Sequence, residues 1–169
     1  MAASMRCGSN NVPPDTALCA PAGASGPELR QTFIGNLRFA VGKLQAAGIK
    51  LLIEPINVFD IPGFYLNHTN QALDIIAEVG SDNLLLQYDI YHMQRMEGEL
   101  AATIERNLPN IAHMQLADNP GRHEPGTGEI NYQFLFGHID RIGYDGWIGC
   151  EYKPAAGTVA GLGWLATAV

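Results

Sequence analysis

From Glu28 onward, apolar residues recur every three or four positions: Leu29, Phe33, Leu37, Ala40, Val41, Leu44 and Ala47. That is the spacing of one helical face. Gly48 follows as a residue free to end the helix with φ > 0. The period then changes. Lys50 to Glu54 is a short apolar run, and Pro55, which has no N–H to give a ladder, stops it. After a polar loop from Asn57 to Asn67, Thr69 or Asn70 is expected to cap a second helix. Its inward face reads as Leu73, Ile76, Ala77 and Ile75, and Gly80 closes it. Asn83 to Asp89 is apolar on nearly every residue, as in a strand buried on both faces. An amphipathic helix through Leu100, Ile104 and Leu108 precedes Pro109, and Ile111 to Leu116 reads as a third strand. A helix from Asn131 is expected to turn Phe134, Leu135, Ile139 and Ile142 inward. Trp147 to Tyr152 reads as a fourth strand, and Val159 to Ala168 as a last helix.

Residues 1–27 show no such periodicity. Pro13, Pro14, Pro21 and Pro27 alternate with Gly, Ser, Ala and Asn, so this stretch reads as a disordered or loosely packed tail before a domain over 28–169. The four βα units that follow are the pattern of a parallel α/β architecture, open sheet or barrel.

Parallel strands bring their C-terminal ends to one side of the sheet. Four such ends carry polar groups: Glu54, Asp89, Gln115 and Glu151. Successive members are separated by roughly 30 residues, about one βα repeat. Side-chain alternation puts Leu52 on the face of Glu54 and His113 on the face of Gln115. Three carboxylates and an amide oxygen are hard donors. They suit Mg²⁺ or Mn²⁺ better than Zn²⁺, and a divalent cation would remove their mutual repulsion.

The stretch from Asp118 to Gly128 is too long and too rich in Gly and Pro for a hairpin turn, and it carries Arg122, His123 and Glu124. Arg122 is a permanent cation suited to a carboxylate or an anionic intermediate; its plainer use is a salt bridge to Glu124 or Glu129. His92, three residues past Asp89, can reach a substrate oxygen from the same rim. His68, His113 and His138 read as structural, and Phe64, Tyr65 and Trp147 as core or pocket wall.

Composition narrows the class. The chain has 169 residues, 47% of them hydrophobic, with a formal charge of −7. An acidic balance argues against nucleic acid and against a polybasic membrane patch. No apolar run approaches the roughly 20 residues that span a bilayer, and the N-terminus does not read as a secretory signal. Three cysteines, Cys7, Cys19 and Cys150, offer neither a disulfide framework nor a CxxC pair, which fits reduced thiols in the cytoplasm.

Several motifs carry a resemblance. They are Glu54-Pro-Ile-Asn57, Gln87-Tyr-Asp-Ile-Tyr-His-Met-Gln94, His113-Met-Gln-Leu-Ala-Asp118, Pro120 to Asn131, and Gly149-Cys-Glu-Tyr-Lys-Pro154. Together they resemble the hydroxypyruvate isomerase family, a branch of the xylose-isomerase-like TIM (β/α)8 barrels, from about Pro27 to Leu165. The 2-oxotetronate isomerases share nearly the same motifs. The resemblance implies a metal held by Glu54, Asp89, Gln115 and Glu151, proton transfer by Glu54 and Glu151, and substrate contacts from His92 and Arg122. It implies interconversion of hydroxypyruvate and 2-hydroxy-3-oxopropanoate through a metal-stabilised enediolate, with Mg²⁺ or Mn²⁺ and no nicotinamide or flavin. The loop from Asp118 to Gly128 would be the lid.

A full barrel needs eight βα units and about 250 residues. The four units here correspond to the C-terminal half-barrel, so the chain reads as N-terminally truncated relative to the family. Such a half is expected to leave strand edges open beside Lys50–Glu54 and Trp147–Tyr152. It is expected to aggregate or pair as a homo-oligomer, and to turn over weakly or not at all alone. Two other classes compete: an inactive remnant serving in assembly, and a metal nuclease, which the acidic balance disfavours.

Overall fold

The computed structural model describes residues 2–5 and 23–166. The chain divides into two units, Met1–Gln87 and Tyr88–Val169.

In the first unit, Ser25 starts helix α1 (Gly26–Ala46). Its N–H and Oγ both donate to Glu28 Oε2, at 2.9 and 2.8 Å. Ile34, Leu37 and Val41 are the buried face of α1; of the expected stripe, Leu29, Phe33, Ala40 and Leu44 are half-buried and Ala47, the C-cap, is exposed. Gly48, at φ +68°, follows the helix. Strand β2 (Lys50–Ile53) has Leu51, Leu52 and Ile53 fully buried, as a strand covered on both faces must. Helix α2 (Thr69–Val79) ends on Gly80 at φ +71°. Arg30 on α1 meets Glu78 on α2 at 2.7 Å.

Two details of α2 differ from expectation. Its N-cap is His68, not Thr69 or Asn70, and its buried residues are Thr69, Ala72 and Ile75, while Ala77 faces solvent. Apolar residues at 72, 73, 75, 76 and 77 fix a helical spacing without fixing which way the stripe turns.

Most of the expected tail lies outside the described residues. Within it, Ala2–Met5 form strand β1, which pairs in parallel with β2, Ala3 opposite Leu51 and Ser4 opposite Leu52. The edge of β2 expected to be open is therefore covered. A ladder uses backbone groups, so β1 needed no hydrophobic alternation to form. On its other side β2 pairs in parallel with β3 (Leu84–Asp89), Leu52 opposite Leu85. Strand β3 carries the chain from one unit into the next.

In the second unit, Asp89 turns the strand directly into helix α3 (Ile90–Met96). This helix was not foreseen. Gly98 at φ +67° and Glu99 at φ +48° separate it from α4 (Leu100–Asn107). A 3₁₀ turn over Leu108–Asn110 leads to β4 (Ile111–Leu116). Helix α5 (Tyr132–Arg141) is capped by Asn131, whose Oδ1 accepts from Phe134 N at 3.1 Å. Tyr132, Leu135 and Ile139 face inward, whereas Phe134, expected inside, is 56% exposed. Strand β5 (Ile148–Cys150) pairs in parallel with β4, Gln115 opposite Gly149. It is shorter than expected, and Trp147, read as core or wall, is 84% exposed. The last expected helix is a 3₁₀ segment, Ala160–Ala166. No described helix is long and apolar enough to cross a membrane.

Candidate metal centre

Asp89 is both the last residue of β3 and the cap of α3. Its Oδ1 accepts from Tyr91 N at 2.8 Å and His92 N at 3.1 Å. Its Oδ2 faces His92 Nε2 at 3.7 Å and Arg122 Nη2 at 4.0 Å. The carboxyl is 1% exposed. Burial pushes its pKa up; the N–H of His92, the Arg122 charge, the N–H of Tyr91 and a hydrogen bond with the Glu151 carboxyl each pull it back.

Glu151 stands one residue past β5, where its N–H donates to Leu116 O at 2.9 Å. Its Oε2 accepts from Arg122 Nη2 at 3.0 Å. Asp89, His92 and Glu151 each offer a ligand atom within 4.8 Å of the others. Two carboxylates with oxygens within 4.8 Å of each other repel unless a proton or a cation lies between them. His92 is buried, and its Nε2 lies 3.4 Å from an arginine nitrogen that can only donate. As the Nδ1–H tautomer, the imidazole would offer its Nε2 lone pair to a cation held between the carboxylates. Two carboxylate oxygens and a lone-pair nitrogen make a donor set that fits a divalent cation. The resemblance gave His92 a substrate contact; the geometry adds it to the candidate ligands.

Gln115 lies on β4, half-buried. Being opposite Gly149, it shares a sheet face with Glu151, two residues beyond Gly149. In the first unit Glu54 is buried just past β2, and its Oε2 accepts from Gln87 Nε2 at 2.7 Å. Gln87 was not singled out from the sequence. Its signal was available: it stands two residues before Asp89, hence on the same face of β3.

Arg122 is reached through the loop after β4. Its guanidinium lies 5.0 Å from the centroid of the Tyr91 ring, and its backbone takes φ +55°. The carboxylate it pairs with is Glu151, not Glu124 or Glu129. Glu124 instead accepts from Ala155 N at 2.9 Å, and Glu129 from Asn119 Nδ2. Asp118, passed over in the sequence, is 1% exposed and binds the loop from within. Its Oδ1 accepts from the N–H groups of Asn119 and Ile130 at 2.9 and 3.1 Å. Its Oδ2 accepts from those of Gly126 and Gly128, both at 2.9 Å. The Asn119–Pro120 bond is cis. His138 is structural as expected, 3.2 Å from Ala101 O.

The family model for xylose isomerase-like TIM barrels matches residues 1–168. The chain belongs to that family. The α/β TIM-barrel class read from the sequence is thereby borne out, and in this family's fold the strand ends that carry Asp89 and Glu151 form one rim. Among curated proteins, the hydroxypyruvate isomerase of Escherichia coli is 57% identical over 145 residues, 86% of this chain and 56% of that protein. The 2-oxo-tetronate isomerase of Cupriavidus necator is 50% identical, with the same coverage. A crystal structure titled AP endonuclease, family 2, from Brucella melitensis superposes with a TM-score of 0.83 at 40% identity, covering 86% of this chain and 57% of that one. The chain spans about half the length of the curated relatives it matches.

Proposed function

We propose that this chain carries the reacting groups of a metal-assisted aldose–ketose isomerase that interconverts hydroxypyruvate and 2-hydroxy-3-oxopropanoate. The observation that carries the reading is the convergence of Asp89, His92 and Glu151 with Arg122 beside them, in a chain 57% identical to a hydroxypyruvate isomerase. Glu54 and Gln115 complete the ligand set in this reading, on the strength of their strand-end positions.

A Mg²⁺ or Mn²⁺ ion bound there would neutralise charge developing on two adjacent substrate oxygens. The chain's own groups do the rest. Moving a carbonyl between neighbouring carbons removes a proton from one and delivers it to the other. Glu151 is half-buried at the rim and takes or returns the proton on one side. Glu54, with one oxygen held by Gln87, serves the other. Arg122 donates to the substrate carboxylate and to the anionic intermediate. The substrate is a small hydroxy-oxo acid; no redox cofactor is required, and neither nucleic acid nor membrane takes part. The cytoplasm is the compartment this chemistry and the sparse cysteines suit.

The test is proton exchange. Hydroxypyruvate incubated with the chain in D₂O is expected to lose its C3 proton signal only when Mg²⁺ or Mn²⁺ is present. Glu151→Gln should slow that loss by about 10² to 10⁴-fold. Exchange that is metal-independent, or unchanged in Glu151→Gln, overturns the reading. Because a 2-oxo-tetronate isomerase is 50% identical, the same assay run on 2-oxotetronates decides between the two substrates by relative kcat/KM.

A further inference from the structure

We propose that Asp118 is the positioning residue for Arg122, and that the loop from Asp118 to Gly128 is a fixed wall of the site and not a closing lid. Asp118 spends every polar atom it has on this loop. Four backbone N–H groups converge on its carboxylate, from Asn119, Gly126, Gly128 and Ile130. Its carbonyl accepts from Arg122 N, and its N–H donates to His123 O, both at 2.8 Å. A loop that opens and closes would have to break this set and leave a buried carboxylate without partners.

The far side of the loop is tied as well. Lys153 N donates to Arg122 O at 2.8 Å, and His123 Nδ1 lies 2.6 Å from Lys153 O. Ala155 N donates to Glu124 Oε2. Arg122 is thus bonded at its N–H and at its carbonyl, which fixes a left-handed backbone an arginine seldom adopts. From that conformation its side chain crosses the Tyr91 ring to reach Glu151. Gly128 closes the structure: a Cβ there would collide with the Asn119 carbonyl and the Asp118 carboxylate. Asp118 touches no reacting group. It acts through Arg122, and its part in catalysis rests on the isomerase reading, whereas the fixing of Arg122 does not.

Two NMR measurements test the fixing without any turnover. In the wild-type chain the amides of Gly126, Gly128 and Ile130 are expected to exchange with D₂O slowly and together. Rates typical of open coil at these three positions overturn the proposal, and this arm needs no variant. The Arg122 Nε–Hε resonance, assigned by its loss in Arg122→Lys, is expected to stand apart from those of solvated arginines. In Asp118→Asn it should collapse onto them while Mn²⁺ still raises the melting temperature. An Arg122 resonance unmoved in Asp118→Asn overturns the proposal.

A double-mutant cycle tests the catalytic link. Asp118→Asn should lower the C3 exchange rate about tenfold in the wild-type background and by less than about twofold in Arg122→Ala. Equal losses in both backgrounds mean that Asp118 acts on something other than Arg122, and overturn the link. No exchange in the wild-type chain together with no rise in its melting temperature on adding Mn²⁺ sinks the isomerase reading; the two NMR results then decide the fixing alone.

Discussion

Tyr88 and Tyr132 are buried phenols in different circumstances. Tyr132 donates to Ala117 O at 2.8 Å, whereas the Tyr88 hydroxyl has no hydrogen-bond partner among the described residues. Burial pushes both pKa values well above the usual range, and the half-buried Tyr144 up to about 12. A phenol whose pKa is higher folded than unfolded stabilises the native state below the unfolded value of about 10 and loses that contribution as pH rises beyond it. Denaturant midpoints are therefore expected to hold from pH 7 to 9 and fall above about 10. Absorbance at 295 nm should show Tyr88, Tyr132 and Tyr144 lagging the other tyrosines until the chain unfolds. At this scale the sequence was legible where a residue announces its own place. Glu54 precedes a proline, Asp89 ends an apolar run, and Glu151 does the same. It was silent on Gln87 and Asp118, whose roles depend on what approaches them from residues 33 or 12 positions away. A buried Asp bonded to four amides and a solvated loop Asp have the same one-letter code.

The elements were legible in type and order, less so in phase and ending. Helix α5 shows both outcomes. Its start was marked by Asn131, a residue that caps by accepting from an N–H two or three positions on. Its inward face was not, because Phe134, Leu135 and Phe136 are consecutive and any of them completes a stripe. Asn131→Ala should cost about 1 kcal/mol by urea denaturation, and Asn131→Asp should restore most of it. Helix α3 was missed because it begins where β3 stops, with Asp89 serving both elements and no loop between them to signal a change. Asp89→Asn should keep α3, since the amide oxygen still accepts from Tyr91 and His92. It should nonetheless abolish the rise in melting temperature that Mn²⁺ gives the parent chain. A variant still stabilised by Mn²⁺ would remove Asp89 from the ligands.

For the whole molecule, the parallel α/β class followed from four apolar strands separated by helical stripes, and the family match over residues 1–168 bears it out. What the pattern did not reveal was β1, a short strand in a segment with no alternation to betray it. Among the described residues, strand β5 pairs only with β4, and Trp147 beside it is 84% exposed. An apolar side chain next to an open strand edge invites association. Trp147→Ser is expected to lower light scattering at high protein concentration while changing unfolding free energy by less than about 0.5 kcal/mol. Scattering that does not change would acquit this edge.

The left-handed backbone of Arg122 has a consequence for how this chain can vary. Glycine and asparagine relieve that conformation most readily, and either one deletes the guanidinium. At this position a drift toward greater robustness and the retention of positive charge therefore pull in opposite directions. Lineages that keep the arginine must hold the torsion in place with surrounding bonds, while those that abandon it can let the whole strap of glycines and prolines wander.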